Sequence, residues 1–284
     1  MNASERKFLT LLFVFGSGVQ AQWLNYPAPG TPRTRDGKPN LTAPAPRAAN
    51  GKPDLSGVWH VQPTPVEEMT RLFGADLIRD ADSVSVPGME LDTISKYAIN
   101  ILVDFKPQDA PMRPEAAALF GKRAGGTVRD PGIDCLPLGI PISSLVSEVH
   151  KIVQTPGLIV DLLELDNAHR QIYTDGRKLP ADPQPSWLGY SVGKWDGDTL
   201  VVDTVGFNDK AWLDVLGHPR SEALRIIERF HRRDFGHLDL EMTFDDPKMY
   251  TRPFTIKITH LLVPDSDILE YFCAENERDR GHVK

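Results

Sequence analysis

Few residues in this chain have the type and spacing that chemistry needs. Gly189-Tyr190-Ser191-Val192-Gly193 spells G-x-S-x-G, the pattern of a nucleophile elbow. An elbow works because a strained strand-to-helix turn lifts the serine hydroxyl toward a histidine and an oxyanion hole. Here Ser191 is followed by Lys194-Trp195-Asp196-Gly197 and another strand-like run, so the context for a nucleophile is absent.

A second set comes from strand alternation. One face of Leu224–Arg233 carries Leu224, Ile226, Glu228, Phe230 and Arg232, and one face of Phe254–Leu262 carries Phe254, Ile256, Ile258, His260 and Leu262. On Leu158–Leu165, Asp161 shares its face with Ile159, Leu163 and Leu165. Glu228, His260 and Asp161 thus fall on otherwise apolar faces. If unpaired there, a carboxylate has a raised pKa and a histidine a lowered one, which suits acid–base catalysis. The competing expectation is an internal ion pair, such as Glu228 with an arginine.

A third set lies on loops: Asp175, Arg177, Asp182, Trp187, Trp212, Asp214 and His218. A tryptophan with arginine and aspartate nearby makes a ligand rim, and loops carry function more often than strands do. Tryptophans also seal barrel ends. No P-loop, dinucleotide glycine fingerprint or His-Glu-x-x-His occurs, and neither Cys135 nor Cys273 has zinc-site spacing. No cofactor or metal is expected.

The elements that must position these residues follow from periodicity. From Val149 onward the pattern has period two, with candidate strands at Val149–Thr155, Leu158–Leu165, Arg170–Thr174, Tyr190–Trp195, Thr199–Thr204, Leu224–Arg233, His237–Phe244, Phe254–Leu262 and Ile268–Cys273. Asp166-Asn167, Asp175-Gly176, Asp196-Gly197 and Phe235-Gly236 read as hairpin turns. Leu55–Val61 reads as a first strand; Val66–Leu77, Met89–Val103 and Pro114–Arg123 read as helices, Pro114 suiting a helix start. Many short strands without helices between them predict a mostly β fold, an antiparallel barrel, with a helical insertion at about 64–130.

At the N-terminus, Arg6 and Lys7 precede an apolar run from Phe8 to Val19, and Val19-Gln20-Ala21 supplies a small-x-small site. This reads as a signal peptide over 1–21, cut after Ala21, and hence an exported protein, periplasmic or extracellular. No later run is long enough to cross a membrane. The formal charge is −7; Glu5, Arg6 and Lys7 leave with the signal as a net +1, so the remainder carries −8. That acidic balance argues against nucleic acid and anionic membrane surfaces as partners. Residues 22–53 form a Pro/Gly-rich arm with two related strings, Asp36-Gly-Lys-Pro-Asn-Leu-Thr42 and Asn50-Gly-Lys-Pro-Asp-Leu-Ser56. The rest, 54–284, reads as one barrel domain. In an exported chain the two cysteines, Cys135 and Cys273, are expected to pair.

Asp54-Leu-Ser-Gly-Val-Trp59, Tyr173-Thr-Asp-Gly-Arg177, the long string from Trp187 to Val202 and Gly217-His218-Pro219 together resemble a large group of uncharacterised exported bacterial proteins. The resemblance spans nearly all of the chain after the signal and implies no established activity. Members often carry His-Pro-His-Ser where this chain has His218-Pro219-Arg220-Ser221, which speaks against a two-histidine metal site here. Gly57-Val58-Trp59 at the start of a barrel is similar to the Gly-x-Trp of lipocalins, implying a calycin-like barrel.

Two functions follow as expectations. One is a binding protein taking a small, partly apolar ligand in its barrel cavity, with Asp175, Arg177, Trp187, Trp212 and His218 at the mouth. The alternative is a hydrolase or lyase using the same cavity, with Glu228 or His260 as acid or base.

Overall fold

A computed structural model describes residues 26–74 and 93–273. The signal-peptide reading, the start of the helix expected at Met89 and the end of the one expected at Leu77 lie outside the described residues.

Nine strands close into one barrel in chain order: β1 (Gly57–Val61), β2 (His150–Thr155), β3 (Leu158–Leu163), β4 (Ala168–Tyr173), β5 (Tyr190–Asp196), β6 (Thr199–Val205), β7 (Arg225–Arg232), β8 (His237–Asp245) and β9 (Phe254–Leu262). Closure comes from β1 pairing with β9, Trp59 opposite Leu262 and Val61 opposite His260. It leaves no sheet edge open to another chain. Among the described residues, three α-helices sit between β1 and β2: α1 (Val66–Phe73), α2 (Lys96–Ile99) and α3 (Pro114–Ala124). α3 begins at Pro114 as expected, its fixed φ and missing N–H costing nothing in the first turn. α2 is one turn, much shorter than Met89–Val103 predicts, with Ser95 capping it and Asn100 already extended.

Neighbouring strands are antiparallel with one exception. β4 and β5 run parallel, Ile172 opposite Ser191 and Tyr173 opposite Val192. Asp175-Gly176 therefore does not close a hairpin. The chain from 174 to 189 returns along the outside to the end where β4 began, Ser186 bridging Phe207 on the way. Ile268–Cys273 is not a strand either. That segment is held by Asn167, which receives the Tyr271 amide at 3.1 Å and donates to its carbonyl, by the Leu269 amide on Glu164, and by a Cys135–Cys273 disulfide with Cα atoms 5.6 Å apart.

The inward positions alternate as period two requires. Trp59, Ile152, Ile159, Ile172, Leu200, Val202, Ile226, Phe230, Leu240, Met242, Phe244 and Ile256 all point inward and are buried. Gly193 faces inward on β5, where a Cβ would stand 3.1–3.2 Å from Ile172, Thr174 and Leu200. The middle of the barrel is thus filled by side chains.

The arm covers one barrel end, which carries the β2–β3, β5–β6 and β7–β8 turns. Its two related strings fold alike. Thr34 N–H bonds Lys38 O (2.8 Å) and Gly37 N–H bonds Thr34 O (3.0 Å); Ala48 to Lys52 and Gly51 to Ala48 repeat the pattern at 2.9 Å each. Gly37 and Gly51 take φ of 82° and 76°, a region only glycine enters freely. Arg33 pairs with Asp265 and Arg47 with Asp198, each at 2.6 Å. Beneath the arm, the Arg232 guanidinium lies 4.8 Å over the Trp59 ring and donates to the carbonyls of Asp54 and Ser56. Burial pushes it down to about 10, and these carbonyls keep its N–H groups paired.

Candidate functional site

Among the described residues, two clusters of buried ionisable side chains involve the candidate residues. The first is inside the barrel. Arg170, inward on β4 beside Ile172, reaches across to Glu228 on β7: Nη1 donates to Oε1 at 2.9 Å and Nη2 to Oε2. Its Nε donates to Ser191 Oγ on β5 (3.0 Å) and Nη2 also to Thr204 Oγ1 on β6 (2.8 Å). Ser191, the second residue of β5, is buried and engaged by Arg170 and Thr204, and among the described residues no histidine bonds it. Asp161, opposite Arg170 in the β3–β4 register, accepts from His150 Nδ1 at 2.7 Å. His150 Nε2 meets His260 Nδ1 at 3.1 Å, and His260 Nε2 meets Ser144 O at 2.9 Å.

Hydrogen-bond roles place the proton at one end of this chain of groups. A carbonyl only accepts, so His260 Nε2 carries the proton and its Nδ1 accepts. Burial, with the like charge of His150 beside it, depresses His260 to about 3, so the ring is neutral. Burial pushes Asp161 up, but His150, with Arg170 behind it, outweighs that and holds it below the ordinary carboxylate value. Arg170 is thus paired with Glu228, and Asp161 with His150. Glu228 and His260 thus stand on inward faces, each engaged by protein groups and not by each other. Among the described residues no cluster of His, Cys, Asp or Glu is arranged to hold a metal.

The second place is the opposite barrel end, capped by the insertion and the 206–224 loop. Asp214 is fully buried and accepts four N–H groups: Gly217 and His218 amides on Oδ1 (2.9 and 3.0 Å), the Ile101 amide on Oδ2 (2.6 Å), and His218 Nδ1 on Oδ2 (2.5 Å). The His218 ring stacks on Phe120 of α3, centroids 4.1 Å apart. Among the described residues its Nε2 makes no hydrogen bond. One helical turn beyond Phe120, Arg123 lies against Gly217, with its guanidinium 5.1 Å over the Trp212 ring. Nη1 donates to Gly217 O (3.3 Å), while the buried Nε has no acceptor among the described residues, and no carboxylate comes within ion-pair distance. Burial pushes this guanidinium below its ordinary value, and the charges of Asp130, Asp209 and Asp214 only partly oppose it.

The loop bearing His218 is rigidly held. Arg220, which burial pushes down to about 10, donates to the carbonyls of Asn208, Ile140 and Trp187 and to Asn208 Oδ1. Asp246 takes the Ser221 amide and hydroxyl, and Tyr250 OH donates to Pro219 O.

Of the loop residues expected at a rim, Trp212, Asp214 and His218 converge here. Trp187 contributes its carbonyl to Arg220. Asp175 and Arg177 form an exposed pair at the arm-covered end, Arg177 stacked 3.7 Å over Tyr173, and Asp182 is exposed. Sequence reasoning missed Arg170, His150 and Arg123. The first two were open to the same alternation test, since Arg170 shares a face with Ile172 and His150 with Ile152. Arg123 carried no signal, because nothing local tells a last-turn helix arginine from a solvated one. Two surface clefts, of about 620 and 440 Å³, lie on the outer wall, one beside Lys96, Arg229 and Lys257, the other beside Pro183 and Arg225. Neither is lined by residues of these two clusters. Comparison with protein-family models, curated proteins and solved structures finds no match.

Proposed function

We propose that the chain is an exported ligand-binding β-barrel protein whose ligand is a small anion with an apolar or aromatic body. It is held at the capped end by Arg123, Trp212 and His218. The observation that carries this is the half-buried Arg123 guanidinium, lying over the Trp212 ring with its buried Nε unpaired and, among the described residues, no carboxylate within ion-pair distance. Leaving such a group unpaired is costly, and the Nε–Nη2 edge of arginine matches a carboxylate or phosphate in two parallel hydrogen bonds. The packed middle of the barrel, with Glu228 already paired to Arg170 and Asp161 to His150, favours the end over the centre as the place of binding. Export is supported by the signal-like N-terminus, by the Cys135–Cys273 disulfide, which persists in oxidising compartments, and by the resemblance to exported bacterial proteins.

Titration calorimetry with benzoate, phenyl phosphate and uncharged benzamide tests the reading. The two anions should bind and benzamide should not. Arg123→Gln should weaken the anions by about 10–100-fold, the loss of a charge-assisted pair. Equal affinity for benzamide, or anion binding indifferent to Arg123, overturns it.

A further inference from the structure

We infer that His218 is a general base in this same site, with Asp214 its positioning residue, and that the reaction is hydrolysis of an ester bearing a carboxylate. The inference rests on the anion site proposed above and adds turnover to it. Asp214 takes the Nδ1 proton of His218, which leaves Nε2 as the proton-accepting nitrogen. An aspartate so placed fixes the tautomer and ring orientation and stabilises the imidazolium that forms. Three further N–H groups on Asp214 hold it in place, and Phe120 fixes the ring plane. Every other buried histidine described, His150 and His260, has both ring nitrogens engaged. Only His218 combines an orienting carboxylate with an unengaged nitrogen beside an unpaired cation.

No hydroxyl or thiol of the described residues bonds Nε2, so the nucleophile is water. Nε2 takes a proton from water as its oxygen bonds the ester carbonyl carbon. The carbon–oxygen bond to the alcohol then breaks, and the alcohol oxygen leaves with the proton returned from the imidazolium. Water is consumed, and an acid and an alcohol are released. Arg123 holds the substrate's carboxylate through its Nε edge while the ester lies toward His218.

The test uses the mature protein with mono-4-nitrophenyl succinate, and with 4-nitrophenyl acetate as the uncharged control. The succinate ester should be hydrolysed above the protein-free rate and in preference to the acetate. His218→Asn sets an amide nitrogen where Nδ1 was, so the bond to Asp214 persists while Nε2 is lost. It should lower kcat at least about 100-fold, and added imidazole should rescue part of that loss. Benzoate binding without hydrolysis of the succinate ester, or a His218→Asn variant as fast as wild type, overturns the base and leaves the anion site standing. Absence of benzoate binding overturns both.

Discussion

Arg170 and Glu228 span the middle of the barrel, and what they do is decided by desolvation. Neither side chain reaches water, and each satisfies the other's charge. Removing one partner of a buried pair strands the other, at a cost of roughly 3–5 kcal/mol, whereas replacing both by apolar groups is often neutral. Glu228→Gln should therefore lower stability by about that amount, and Arg170→Met with Glu228→Leu should recover most of it. Urea unfolding of the single and double variants checks this, and a Glu228→Gln variant as stable as wild type would refute the ion-pair role. His260 gives a pH effect of definite sign. Its folded pKa, about 3, lies below the ordinary 6.5, so the unfolded chain binds the proton first. Its contribution is complete above pH 6.5 and is lost as pH falls toward 3, at up to about 1.4 kcal/mol per pH unit. His260→Gln should start less stable at pH 8 and lose less on acidification to pH 4.5. Parallel stability–pH profiles for the two proteins would rule this out. Glu228 and His260 were legible as inward residues because β7 and β9 alternate cleanly. Their partners were not, since a cross-barrel contact depends on closure, which no local pattern encodes.

Among the elements, the arm shows which of its contacts hold it. Arg33 and Arg47 pair with Asp265 and Asp198 at the surface, where solvent screens such pairs. Leu55, at the junction where the arm passes into the barrel, is buried, and its carbonyl receives the Trp59 indole N–H at 3.0 Å. Arm carbonyls at Leu41 and Ala43 also accept the Gly236 and Phe235 amides at 2.7 Å each. Apolar burial and backbone bonds, not charge, fasten the arm. Leu55→Ala should cost about 2–5 kcal/mol, and Arg47→Ala should leave the urea midpoint unmoved. The reverse order would assign the hold to the ion pairs. The strands themselves were largely readable: β9 spans the expected residues and most others differ by one or two at their ends. Two errors have physical causes. Asp175-Gly176 has turn chemistry, but 16 residues separate β4 from β5, and three of them, Pro180, Pro183 and Pro185, keep that link out of a sheet. Ile268–Cys273 alternates, yet its backbone is claimed by the Asn167 and Glu164 side chains.

At the scale of the whole molecule, the two ends of the barrel are closed by different means. The arm and the Arg232–Trp59 stack seal one. At the other, long loops are pinned by buried polar residues, with Asp214, Arg220 and Asp246 each collecting several partners. Such an end is stable only while the segments supplying those partners stay in register. One of them, from Cys135 to Leu145, provides Ile140 O to Arg220 and Ser144 O to His260, and the disulfide to Cys273 anchors its start. A sequence separation of 138 makes the cross-link a large restriction on the unfolded chain. Cys135→Ser with Cys273→Ser should lower stability by roughly 2–5 kcal/mol. The loss should also be uneven. Amide exchange should rise first at Ser144 and Leu145, whose N–H groups bond Pro141 O and Ile142 O within the anchored segment, while β7–β9 amides stay protected up to global unfolding. Hydrogen exchange of the double variant reads both regions at once. Equal acceleration in β7–β9 would mean that the disulfide supports the barrel as a whole. Protection unchanged at Ser144 and Leu145 would mean that Arg220 and His260 hold the cap without it.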